Sequence, residues 1–240
     1  MINIVAISHG VENTDNPGEY ARGLIEGIKS KMTLRQFEDF IFIQLDTNQL
    51  FQPRQMEIYK KVEKGLRRQF LRKLKHTIGS DVVWSNRSKS GNDAWSQKVN
   101  YINQMIDPHV RRAGEKNYRI HLIGHSQGSQ DLLEYCFDCT YPAYGLITMG
   151  SPISMKSGTF EDWGHLPKGL GYWHNFYNTL DFIGSRLEKV HPSKEIADFV
   201  IDHEVPIGWN PLEWTTLGPH CCFWKRDFVH RTIATILVSG

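Results

Sequence analysis

The chain has 240 residues, 40% of them hydrophobic and 22% charged, and a formal net charge of +2. That composition excludes a disordered chain, a collagen-like repeat and a low-complexity scaffold, and the near-neutral balance argues against a protein built around nucleic acid. A chain of this length buries roughly 70–75% of its unfolded surface and needs no disulfide staples to form a core.

Ile2, Ile4, Val5, Ala6 and Ile7 make a short apolar run that ends at His9-Gly10, which predicts a buried strand. No basic residue precedes the run, and the chain has no long uncharged apolar stretch. We therefore expect neither a secretory signal nor a membrane-spanning helix. A polar turn over 12–18 contains Asn16-Pro17, and a helix follows over about 19–31 with Ala21, Leu24, Ile25 and Ile28 on one face. Phe40, Ile41, Phe42, Ile43 and Leu45 predict a second buried strand.

Over 53–78, Ile58, Val62, Leu66, Phe70, Leu74 and Ile78 recur every fourth residue, the pattern of a helix with one apolar stripe. Between residues 60 and 75 its other faces carry Lys60, Lys61, Lys64, Arg67, Arg68, Arg72, Lys73 and Lys75 against the single acid Glu63. A solvated surface helix explains these charges, and weak contact of 60–75 with an anionic membrane surface is the sharper alternative. Residues 81–84 are short and extended. Asn92 or Asp93 caps a further helix with Trp95, Val99, Ile102 and Ile106 at core spacing and Pro108 near its end.

A strand over 119–123, a helix over 127–137 and a strand over 144–149 come next, and Gly150-Ser151-Pro152 closes the last of them. Residues 153–171 are irregular and form a candidate lid or loop insertion. Residues 174–180 are extended and aromatic, a helix is expected after Asp181, a last strand over 199–205 and a final helix over 224–237. Strands alternating with helices imply an α/β fold of three layers, a mainly parallel sheet with helices on both faces, in one domain spanning 1–240.

The four cysteines, Cys136, Cys139, Cys221 and Cys222, are too few for a disulfide framework and are expected to be reduced thiols of a cytoplasmic protein. Cys136 and Cys139 form a C-x-x-C, but no second such pair or histidine pair accompanies it to make a metal site.

The chemistry concentrates where the strand ending in Leu122-Ile123 runs into Gly124-His125-Ser126-Gln127-Gly128 and a helical pattern begins at once. This is G-x-S-x-G between strand and helix. A nucleophilic hydroxyl on such a sharp turn needs small residues on both sides so that strand and helix can pack closely, and the helix N-terminus offers N–H groups to a developing oxyanion.

These residues resemble the nucleophile elbow of the α/β-hydrolase fold, particularly its lipase and esterase branch. His9-Gly10 after the first strand looks like the family's oxyanion loop, and Gly150-Ser151-Pro152 like the turn after the strand that follows the nucleophile helix. The order of elements matches the fold without its first two antiparallel strands. The resemblance implies Ser126 as nucleophile, an acid and then a histidine further along, and no cofactor.

His191, His203, His220 and His230 are the downstream histidines. His220 lies in a loop before the final helix, within His-x-x-Phe-Trp, which looks like the His-x-x-Tyr-Trp of lipase-like members; His203 is the runner-up. Asp181, at the end of an extended run, is the expected acid, with Asp202 and Glu204 as alternatives. By resemblance the oxyanion donors are the backbone N–H groups of Val11 and Gln127, supported by His9, Gly10, Gly124 and Gly128, with His9 organising its loop.

No P-loop, dinucleotide fingerprint or H-E-x-x-H competes. Asp202-His203-Glu204 has no partner at metal-ligand spacing, and Trp163, Trp173, Trp209, Trp214 and Trp224 enrich the C-terminal half with aromatics for core or acyl pocket. The resulting expectation is a serine hydrolase of a carboxylic ester or thioester acting on a small-molecule ester or lipid, with no metal and no nucleic-acid partner. The competing readings are an inactive binding protein on the same frame and an acyltransferase or peptidase using the same three side chains.

Overall fold

The computed structural model describes residues 1–10, 20–47, 92–114, 117–153, 165–181, 183–187, 194–206 and 218–240. The expected basic helix over 53–78, the strand over 81–84, most of the candidate lid, Val11, His191, Trp163, Trp209 and Trp214 lie outside the described residues.

The apolar runs read from the sequence become strands: β1 (Ile2–Ser8), β2 (Phe40–Leu45), β3 (Tyr118–His125), β4 (Gly145–Met149), β5 (Tyr172–Tyr177) and β6 (Val200–Glu204). They form a six-stranded sheet in the order β2-β1-β3-β4-β5-β6, and every pairing is parallel. β1 lies between β2 and β3, next to the edge, with Ala6 opposite Ile43 on one side and Leu122 on the other.

The helices are α1 (Arg22–Lys29), α2 (Leu34–Glu38), α3 (Asn92–Ala113), α4 (Gln127–Asp138), α5 (Lys194–Phe199), α6 (Gly218–Cys221) and α7 (Asp227–Ser239), with a 3-10 turn over Cys222–Lys225. Alternate strand residues divide the interior into two cores. Ile4, Ala6, Ile120, Leu122 and Leu146 pack under α3 through Ile102, Ile106 and Val110, and under α4 through Leu132 and Leu133. Val5, Ile7, Ile123, Ile147 and Phe176 face the other way, onto Leu24 and Ile28 of α1 and onto Val229, Ile233 and Leu237 of α7. Burial on both faces explains why these strands read as continuous apolar runs rather than alternating ones. The architecture is the expected three-layer α/β type, with all six described strands parallel.

Pro108 lies near the end of its helix, as expected, and α3 continues past it to Ala113. Its side chain and that of Gln104, whose carbonyl loses its intrahelical donor, are both exposed, so the freed oxygen meets solvent. No helix follows Asp181 directly, since residues 183–187 are irregular, and the next described helix begins at Lys194. Helix α2 was not expected. Thr33 starts it by a reciprocal capping box, accepting from the Gln36 backbone N–H at 3.3 Å while Gln36 Oε1 accepts from the Thr33 backbone N–H at 2.9 Å.

Candidate active site

Ser126 stands between β3 and α4, at the N-cap of the helix. It has φ 54° and ψ −130°, and among the described residues it is the one non-glycine at positive φ. A side chain held there costs of order 1–3 kcal/mol, which the surrounding structure must offset. The fixing contacts are backbone ones: the Ser126 N–H donates to the Met149 carbonyl at 2.9 Å, and the Ser129 N–H to the Ser126 carbonyl at 3.0 Å.

The flanking glycines meet the steric need inferred from the motif. A Cβ on Gly124 would lie 2.4 Å from Ser129 Cα, and one on Gly128 would lie 2.5 Å from the Ser8 carbonyl oxygen. Neither distance is tolerable, so the turn closes this tightly only with glycine at both positions.

Gly10 approaches from the end of β1. A Cβ there would sit 2.6 Å from Ser126 Cβ, 2.8 Å from Ser126 Oγ and 3.1 Å from the Gln127 nitrogen. The loop after β1 thus lies over the hydroxyl and over the first N–H of α4, the place where an oxyanion would form. His9 braces this loop. Its ring stacks on Trp224 at 5.0 Å, and Tyr20 and His125 contact it at 5.2 and 4.9 Å. The Tyr20 hydroxyl, 2.6 Å from the Ile7 carbonyl and 2.9 Å from that of Leu45, ties the ends of β1 and β2 together.

Asp181 and His220 meet. His220 Nδ1 lies 2.9 Å from Asp181 Oδ2, and the other carboxylate oxygen accepts the Ile183 N–H at 2.9 Å. Asp181 is positioned by the turn after β5, where its own N–H donates to the Asn178 carbonyl at 3.0 Å and Asn178 Nδ2 donates to Val205 at 2.6 Å. Gly150, at φ +53°, lets the pair close: a Cβ there would be 3.1 Å from both Asp181 Oδ2 and His220 Nδ1. Since Gly150 follows Met149, the acceptor for the Ser126 N–H, the elbow and the acid–imidazole pair share one short backbone segment. Ser126, Asp181 and His220 are only 4%, 7% and 5% exposed, so charge formed there is poorly screened by water.

In the motif His125 reads as a mere spacer, yet it joins the two halves. Its Nε2 lies 2.7 Å from the His220 carbonyl oxygen, and its ring packs 4.8 Å from the His220 ring. Burial, together with neighbouring His220 and His9, pushes its pKa well below the usual imidazole range.

A second polar group escapes sequence reasoning because its members fall on otherwise apolar faces. Lys98 Nζ of α3 donates to Asp131 Oδ1 at 2.6 Å, and Gln127 Nε2 donates to the same oxygen at 3.2 Å. Thr47 donates to Asp131 Oδ2 at 3.4 Å and lies 3.3 Å from the Ser8 hydroxyl. This buried ion pair fixes the side chain of the residue whose backbone N–H faces Gly10.

The alternatives lie elsewhere. His203 bonds and stacks on His174 within the sheet, Asp202 accepts from Asn175 Nδ2 at 2.6 Å, and Glu204 from the Tyr177 hydroxyl at 3.3 Å. His230 packs in α7 against Gly27, with Nε2 2.8 Å from the Trp224 carbonyl oxygen. None of the four cysteines is in a disulfide, and Cys139 caps the end of α4. Among the described residues no group of histidine, cysteine and carboxylate side chains is arranged to hold a metal ion, and no helix is long and apolar enough to cross a membrane.

No family model matches the chain, and no curated protein matches it. Among solved structures it is similar to a cutinase-like protein from Cryptococcus sp., at 12% identity and a TM-score of 0.43, over 100% of this chain and 96% of that one.

Proposed function

We propose that this chain is a serine hydrolase of the lipase and esterase kind, cleaving a carboxylic ester or thioester with Ser126, His220 and Asp181. The observation that carries this reading is the strained Ser126 turn, joined through Met149-Gly150 to a buried His220–Asp181 pair.

In this reading Ser126 Oγ attacks the substrate carbonyl carbon while His220 Nε2 takes the hydroxyl proton. Asp181 accepts from Nδ1–H, which holds the neutral imidazole in the tautomer whose Nε2 is free to act as base, and its charge stabilises the imidazolium that forms. The oxygen of the tetrahedral adduct faces the N–H of Gln127 at the positive end of α4, with the backbone N–H of Val11 as the second donor that the family resemblance implies. Collapse expels the alcohol or thiol, which leaves with the proton from His220. Water then repeats the sequence on the acyl-serine, releasing acid and restoring the hydroxyl. With Ser126 so little exposed, the ester must displace what covers the hydroxyl, so the rate of acylation carries that cost.

Hydrolysis of p-nitrophenyl butyrate tests the reading. Wild type is expected to turn over, Ser126→Ala to fall to the buffer rate, and Asp181→Asn to lose roughly 10³–10⁴-fold in kcat through loss of the productive tautomer. Undiminished turnover by Ser126→Ala contradicts it. Transfer of the acyl group to an added alcohol or amine in preference to water would reassign the enzyme as an acyltransferase.

A further inference from the structure

We infer that His125 is a positioning residue: its imidazole N–H clamps the main chain of His220 and so fixes the distance and angle between base and nucleophile. The inference rests on the hydrolase reading above and adds a group to that site.

The geometry defines the direction of the bond. The His220 carbonyl oxygen only accepts, so His125 Nε2, 2.7 Å away, must carry the proton and donate it. The opposite nitrogen, Nδ1, is then a bare lone pair; it is buried and has no hydrogen-bond partner among the described residues. An unmatched buried acceptor is destabilising, a penalty that an apolar ring of the same size would avoid. Filling space is therefore a poor account of a histidine here, whereas the Nε2 donor has a specific target.

That target needs holding. His220 belongs to α6, a helix of four residues, too short to be stable by its own hydrogen bonds. His125 is the last residue of β3 and is peptide-bonded to Ser126, so a bond from its ring to His220 ties the residue beside the nucleophile to the main chain of the base. The rings of Phe223 and Trp224, at 5.9 and 5.1 Å, hold the His125 ring in place. A neutral ring also suits a neighbour that must become a cation, since a second imidazolium 4.8 Å from His220 would oppose proton uptake from Ser126.

The test compares His125→Gln, whose amide N–H can take the Nε2 position, with the near-isosteric His125→Met, which has no donor. Turnover of p-nitrophenyl butyrate, the rate of labelling by diethyl p-nitrophenyl phosphate and a urea melt are measured for each. Met is expected to lower kcat and the labelling rate together by about 10–100-fold with KM within about twofold of wild type, the signature of a misplaced base. Gln is expected to recover most of that loss although its melt resembles that of Met. Equal rates for Gln and Met, or a folded Met variant as fast as wild type, overturn the positioning role. If the Met variant does not fold, the Gln variant decides: it must retain wild-type kcat within about threefold for the role to stand, and a larger loss overturns it. A wild-type chain that neither hydrolyses the ester nor labels overturns the hydrolase reading and this role with it.

Discussion

Gly10 shows how closely single atoms constrain the candidate site. The position a Cβ would occupy there is already filled by Ser126 Cβ and Oγ and by the Gln127 nitrogen. Gly10→Ala must push the loop away from the hydroxyl and from the N–H that would meet the oxyanion. We expect kcat for p-nitrophenyl butyrate to fall by about 100-fold or more, the scale of losing one oxyanion donor. Gly23→Ala is the control: a Cβ there meets nothing within 4 Å on helix α1, so turnover should be unchanged and stability slightly raised. Equal turnover by the two variants would contradict the placement of the β1 loop over Ser126. The same atomic logic separates Asp181 from Asp202 and Glu204. All three carboxylates find hydrogen-bond donors, but Asp181 is the one bonded to His220.

At the scale of elements, the parts legible in the sequence are those in which one local pattern decides the outcome. Buried parallel strands announce themselves as apolar runs, and the strand–turn–helix around Ser126 announces itself through two glycines and a change of period. Asp181 and His220 are legible through their places after β5 and before α7. What stays hidden depends on partners distant in the chain: the His125 bond to His220, the Lys98–Asp131 pair joining α3 to α4, and the His174–His203 pair joining β5 to β6. Helix α2 is hidden for another reason, since five residues leave too little apolar periodicity and only the Thr33 and Gln36 capping signal marks them.

The histidines on the sheet carry a consequence for stability. His121 lies between the Tyr172 hydroxyl at 2.6 Å and Asn3 Oδ1 at 3.2 Å, and burial lowers its pKa to about 4. His174 is lowered to about 4 by burial and then by His203, whose own pKa burial also lowers. One hydrogen bond between two imidazoles requires a donor and an acceptor, so charging both rings places donor against donor. The unfolded chain takes up these protons near pH 6.5, while the folded chain resists them until about pH 4. Stability is therefore full above about pH 6.5 and falls as the pH drops towards 4, by up to about 1.4 kcal/mol per pH unit for His121 and by less for the more exposed His174. Urea midpoints at about pH 7.5 and about pH 5 should show the drop, and His203→Phe, which removes one titrating ring, should reduce it. A midpoint that does not move between these conditions would contradict the burial of these rings.

Across the whole molecule, the candidate residues collect at the carboxyl edge of the sheet. Gly10 follows β1, Ser126 follows β3, Gly150 follows β4 and Asp181 follows β5, while His220 arrives from the segment between β6 and α7. An open parallel sheet places its site at this edge because the strands end there and the following helices begin. Residues far apart in the chain thus meet without any strand leaving the sheet, and two separate cores keep the edge rigid from both faces. Mass-spectrometric mapping of the folded chain after reaction with diethyl p-nitrophenyl phosphate tests the central claim most directly. One phosphoryl adduct is expected, on Ser126, formed far more slowly in His220→Ala. Folded protein that stays unmodified, or an adduct on another residue, would contradict it.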